Sequence, residues 1–293
     1  MSINFFNGLK DAFNNLNPDE VRQQVDRPVR IALHAKSESA FEQMEMFLAP
    51  PVQTHPVAAT GPLLQRVGYS TTLPATRFDI EIYSDELAHP KGAFRFEAAE
   101  PERMVRSVIE EHPGLSIALA RRIAAFRAPA SAQVIRKIAK ENALFSLATA
   151  IPDIIPLVSL PWAMGEFASD TAFITANQVR MAFLLAAASN RDIGYREQKG
   201  EVVSILLSAF GWRALARELV GHIPFGGGLI PKAAIAYAGT RVAGMSLERY
   251  YREGKGFSRQ EQRIAYERAL EKGKAIAQSM LSTLKRPQQK VSG

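Results

Sequence analysis

Phe6, Leu9, Phe13 and Leu16 recur at helical spacing among Asn and Asp residues. They predict a short amphipathic helix that packs on its own domain or docks at an interface, and Asn17-Pro18 closes it. Val29, Ile31, Ala32 and Leu33 then read as a short buried strand. Ser37 or Glu38 opens a helix through Phe41, Met44, Met46, Phe47 and Leu48, which must stop before Pro50-Pro51. Residues 49–75 are rich in Pro, Thr and Gly and predict a long loop, with a short element near Leu63 to Val67. The run Phe78-Asp79-Ile80-Glu81-Ile82 alternates apolar and polar and predicts a strand, and Phe94 to Phe96 a further one. Strand, helix and strand in succession predict a small α/β unit over residues 28–100.

After Pro101 the rhythm is helical. Pro113 precedes one helix, and Pro129 precedes another that starts near Ser131 and carries Val134, Ile135, Ile138, Ala139, Ala143 and Leu144. The 22 residues from Ala143 to Met164 hold one charge, Asp153, and are long enough to cross a bilayer. Pro152, Pro156 and Pro161 interrupt them, so a helix–break–helix hairpin is expected, buried in protein or partly inserted in a membrane. Helices follow over 169–187 and 201–220, and then a glycine loop at Gly226-Gly227-Gly228. In the next helix, 232–251, Ala236, Thr240 and Gly244 repeat every four positions, with Ala234 and Ala238 beside them. Small residues so spaced allow close helix packing. Gly254 and Gly256 end this helix, and Ser258 with Glu261 forms a capping box for the last one. The fold expected is therefore α-rich, of the α+β class. An N-terminal helix (1–27) and a small α/β domain (28–100) precede an apolar multi-helix domain (101–286) and a tail (287–293).

Charge changes this picture by its distribution. The chain of 293 residues has a net charge of +7, but residues 1–101 hold 9 Lys/Arg against 13 Asp/Glu. Residues 102–140 hold 8 against 3, residues 141–247 hold 8 against 8, and residues 248–293 hold 11 against 5. Basic segments on either side of a neutral, apolar one suit contact with anionic lipid, or simply solvated helices. Nucleic acid is not expected as a partner, because glutamates are interspersed with the basic residues and no aromatic-studded basic stripe occurs. No basic segment followed by an apolar run opens the chain, so no secretory leader is expected. The absence of cysteine excludes disulfides, cysteine zinc sites, iron–sulfur clusters and thiol nucleophiles.

Few residues point to chemistry. Lys36-Ser37, after a strand and before a helix, stands where a P-loop G-x-x-x-x-G-K-[ST] would end, and the strand with Asp79 could bear a magnesium carboxylate. The two glycine positions hold Arg30 and Ala35, however, and Ser84-Asp85-Glu86-Leu87 has no glycine for a DxxG turn. An active NTPase is not expected. A degenerate GTPase-like domain binding GTP through Lys36, Ser37 and Asp79 is the alternative. The five histidines are scattered, without HExxH spacing, and no GxSxG occurs, so no metal or serine-hydrolase centre is expected. Asn177-Gln178 in an apolar helix is a candidate interhelical hydrogen-bonding pair. Arg213 and Arg217, one turn apart beside Trp212, are candidates for contact with phosphate headgroups or a partner's carboxylates.

Several stretches carry a resemblance. They are Ala118-Leu119-Ala120-Arg121-Arg122, Glu141-Asn142-Ala143-Leu144-Phe145, Asn177-Gln178-Val179-Arg180-Met181, Gly211 to Leu219, and Ile235 to Thr240. The segment from about His112 to Gly254 resembles a family of uncharacterised helical domains that includes the YcjF-like proteins. The resemblance implies an apolar helical domain that occurs fused to Era-like GTPase domains or beside GTPase partners, often at membranes. It carries no catalytic residue. Together the readings predict a non-enzymatic bacterial scaffold or partner protein without cofactor. It would be cytoplasmic, peripheral or partly inserted at the inner membrane, contacting anionic lipid, a GTPase partner or a second copy of itself.

Overall fold

The computed structural model describes residues 17–49, 64–68, 78–149, 170–205 and 228–285. A four-stranded, wholly parallel sheet stands at the front, and the rest is largely helical. By contacts the chain divides into two units. One is Asp19–Ala132 with Ala186–Ile193; the other holds the described residues of Met1–Pro18, Gln133–Leu185 and Gly194–Gly293. The composition changes at Pro101, but the division falls later, because the first helices after that proline group with the sheet.

The sheet unit comprises α1 (Pro18–Asp26), β1 (Ile31–Ala35), α2 (Glu38–Leu48), β2 (Leu64–Gly68), β3 (Ile80–Ser84), β4 (Phe94–Phe96), α3 (Pro101–Glu111), α4 (Ser116–Arg122) and the start of α5 (Ala124–Ala148). Pro18, expected to close an earlier helix, is the first residue of one. It starts α1, where a missing N–H costs nothing, and Val21 and Val25 one turn apart give that helix its buried side. The strand order is β2-β1-β3-β4. Register pairs Leu33 with Ile82 and Ile82 with Phe94, which places these side chains on one face. Helix α2 covers that face: Phe47 meets Phe96 at 5.8 Å, and Arg66 of β2 bridges Glu38 and Glu45. Ser37 caps α2, its hydroxyl accepting from the Ala40 N–H at 3.2 Å. The best alternating run begins its strand two residues later than the sequence suggests. Asp79 is held at the strand's entry, where its N–H donates to the Arg30 carbonyl at 2.9 Å.

Arginines stitch the sheet unit together through backbone carbonyls. Arg122, buried, donates to the carbonyls of Val25 (3.2 Å), Ala118 (3.1 Å) and Asp26 (3.2 Å). Two of these are at the C-terminus of α1, where carbonyls have no partner inside the helix. Arg22 donates through two nitrogens to the Ile193 carbonyl, and Arg121 to that of Arg191 at 3.0 Å. These bonds tie the late segment 186–193 to the front of the chain.

The helical unit contains most of α5, α6 (Asp170–Ala188), a helical stretch over residues 199–205, α7 (Leu229–Glu253) and α8 (Arg259–Lys285). Helix α5 starts at Ala124, before Pro129 rather than after it, and Pro129 lies inside. Proline removes one backbone bond, but strong helix formers flank it and Phe126 and Ala130 are fully buried, so the helix continues. The described start of the apolar stretch is core rather than surface: Ala143, Leu147 and Ala148 pack with Ala233, Tyr237 and Ala277. Residues 150–169, the leading helix at 1–16 and the tail at 287–293 lie outside the described residues. Among the described residues no helix is long and apolar enough to cross a membrane.

Small residues set the spacing of α7. A side chain at Gly244 would meet Ile135 and Met181 at 2.8 Å, so α5 and α6 approach along the Thr240–Gly244 stripe. On another side, a side chain at Gly273 of α8 would meet the Ala234 carbonyl at 2.9 Å. Gly254 takes a left-handed conformation (φ 77°) and ends α7, as its freedom from a Cβ allows.

The capping box at α8 forms as expected. The Ser258 N–H donates to Glu261 at 2.8 Å, the Glu261 N–H donates to the Ser258 hydroxyl at 3.3 Å, and Arg249 adds an ion pair to the same carboxylate. The Arg249 hydrogen bond and then those from Ser258 hold the Glu261 carboxyl down at about 2. A depressed carboxyl stabilises the fold above its unfolded value, near 4.5, and loses that contribution as pH falls towards 2. Glu261→Gln should therefore lower the melting temperature at pH 7. The gap from the unaltered protein should close between pH 4.5 and 2, as read by circular dichroism. A gap independent of pH would refute the assignment.

Candidate functional site

The most organised polar constellation lies inside the helical unit, where Asn142 and Glu141 of α5, Asn177, Gln178 and Arg180 of α6, and Thr240 of α7 converge. Asn142 is fully buried. Its amide donates to the Thr240 hydroxyl at 2.8 Å, and its carbonyl oxygen accepts from the Asn177 amide at 2.9 Å. Gln178 donates to the same Thr240 oxygen at 3.3 Å. Asn177 also reaches Glu141 at 3.3 Å, and Arg180 approaches that carboxylate at 3.5 Å. Apolar periodicity places these positions on the inner faces of their helices, and the short Thr240 lets three polar chains meet where three helices touch.

The paired polar residues Asn177 and Gln178 are thus interhelical bonders, and Thr240 adds to its packing role that of a shared acceptor. Ala236 is buried on the same helix. Glu141, Asn142 and Arg180 complete the set. They escape a reading by spacing because their partners lie on other helices, 35 to 98 positions away in sequence. The constellation has no nucleophile beside a base, and amides do not titrate. Its chemistry is to hold three helices in one register, because any slip would strand buried donors.

The alternative nucleotide set is not brought together. Lys36 and Ser37 follow the carboxyl end of β1 and Asp79 precedes the amino end of β3. Since β1 and β3 are parallel, a five-residue strand, roughly 16 Å, separates them. Asp79 accepts from the Arg30 N–H at 2.9 Å and pairs with Arg27 at 3.4 Å. The Ser37 hydroxyl donates to Glu86 at 2.9 Å, so a carboxylate stands at the helix start where a phosphate would need to sit. Trp212, Arg213, Arg217, Asp153 and Gly226-Gly227 lie outside the described residues.

A second cluster emerges only from strand register, which pairs His34 with Tyr83. Their rings stack at 4.1 Å, His34 Nε2 lies 3.1 Å from Glu81, and the Tyr83 hydroxyl donates to that carboxylate at 3.2 Å. Burial lowers the His34 pKa, against the opposing pull of Glu81. Burial, and then Glu81, raise that of Tyr83. Among the described residues, no three His, Asp or Glu side chains are grouped so as to hold a metal ion. A shallow groove lined by Ile205, Val242, Leu247 and Gln262 contains no titratable side chain.

Comparison with known protein families, with curated proteins and with solved structures finds no match to this chain.

Proposed function

We propose that the protein is a non-catalytic scaffold that sits peripherally on an anionic membrane surface and works beside a protein partner, which the resemblance in its helical region suggests is a GTPase. The observation that carries this reading is the division of polar groups in the helical unit. Inward amides are consumed by one another, and cations are left facing outward. Arg136, Lys137 and Lys140 of α5 are exposed. The basic flanks of the apolar stretch support the membrane part of the reading, because each cation near an anionic surface adds about 1 kcal/mol, less with salt. The separation of Asp79 from Lys36 and the Glu86 carboxylate on Ser37 weigh against the nucleotide-binding alternative.

Flotation of the full chain with vesicles tests the proposal. Binding should rise with phosphatidylserine content and fall with salt, and a fluorescent guanine nucleotide should show no saturable signal. Equal binding to neutral lipid, or no binding at low salt, would overturn the membrane part. Nucleotide binding abolished by Lys36→Ala would favour the alternative.

A further inference from the structure

We infer that the membrane contact is one face of α5, formed by Arg136, Lys137 and Lys140, rather than the basic C-terminal helix; the assignment rests on the peripheral reading above and specifies its surface. The three positions fall within about 100° of arc on the helix, over little more than one turn. All three are exposed, and among the described residues no carboxylate lies within ion-pair distance of any of them. The one acidic residue placed to neutralise them is Glu141, one turn beyond Lys137. Its carboxylate is engaged inward by Asn177 (3.3 Å) and Arg180 (3.5 Å). The buried polar network thus strips this face of its counter-charge.

The C-terminal helix differs. Its region holds the larger formal excess of basic residues, but on α8 Arg263 and Lys274 are paired with glutamates, and Arg249 and Arg252 at the end of α7 are paired likewise. Arg259, Arg268 and Lys272, unpaired among the described residues, are interspersed along the helix with Glu261, Glu267 and Glu271. Such pairs spend their charge locally and project little field. Two of the three α5 cations are lysines, compact charges on flexible stems, which suit a diffuse layer of headgroups better than an oriented carboxylate fork.

The test uses the full chain and phosphatidylcholine vesicles with and without phosphatidylserine. Arg136→Gln/Lys137→Gln/Lys140→Gln should weaken phosphatidylserine-dependent binding roughly a hundred-fold, and each single substitution roughly five-fold. Arg268→Gln/Lys272→Gln on α8 should change it less than about two-fold, since these two lie off the contact face. All five side chains are exposed, and circular dichroism is the check that each variant folds. If the unaltered protein binds and the triple variant binds equally well, this inference fails while the peripheral reading stands. If the α8 pair is the one that matters, the face is wrongly assigned. If the unaltered protein shows no dependence on phosphatidylserine, both fail. Binding to polyglutamate but not to vesicles, lost in the triple variant, would replace the lipid with an acidic protein surface.

Discussion

Thr240→Val is expected to destabilise the protein by about 2–4 kcal/mol, although it changes hardly any volume. The Thr240 oxygen accepts from Asn142 at 2.8 Å and from Gln178 at 3.3 Å, and Thr240 itself is fully buried. Valine fills the same space and accepts nothing, so two amide donors are stranded in a place that water does not reach. A buried donor left without a partner costs about 1–3 kcal/mol. Thr240→Ser keeps the acceptor and loses only a methyl group, which should cost about 1 kcal/mol. Urea unfolding followed by circular dichroism distinguishes the two. If serine proves as damaging as valine, the residue matters for its shape, and the network does not hold the helices in register.

The second large effect belongs to the sheet unit. Arg122→Met should cost about 2–4 kcal/mol, because charge-assisted hydrogen bonds contribute about 1.5–3 kcal/mol and the Val25 and Asp26 carbonyls would lose their donor. Burial already pulls the Arg122 guanidinium pKa below its ordinary value, so part of the gain from bonding is offset by desolvation. Trypsin should then cut faster at Arg22, as α1 frays from the body of the unit; the Arg27–Pro28 bond is not a tryptic site. Arg122→Lys should recover only part of the loss, since one ammonium cannot reproduce the two-pronged span from Val25 to Asp26. Unchanged proteolysis in Arg122→Met would sink this account.

Local signals in the sequence were enough for β1, β3 and β4, for α2, for the end of α7 and for the start of α8, whereas β2 read only as a short element within a long loop. The capping box, Gly254 and the alternation around Ile80 each act within a few residues. Asn177-Gln178 was legible as an anomaly, two amides in an apolar helix. Its partners were not, because Asn142 and Thr240 lie 35 positions from Asn177 and 62 from Gln178, respectively. Periodicity says which face of a helix turns inward, but not which residue it meets. Direction was the missing information for Asp79, since a motif read along the chain does not say which edge of the sheet its residues occupy. Arg22 and Arg122 look like ordinary surface cations, and only the placement of carbonyls gives them work. The start of α1 could have been read, since Pro18 followed by Asp19 and Glu20 is a helix N-terminal pattern.

The bonds from Arg22 to the Ile193 carbonyl span 171 positions. A chain emerging from a ribosome makes its sheet early, yet cannot complete this part of the same unit until residue 193 has left the exit tunnel. Closing so long a loop is entropically unfavourable and slow. The front of the protein is therefore expected to wait, partly assembled, while most of the apolar helical region is synthesised, and its final locking step should come after α6 has been made.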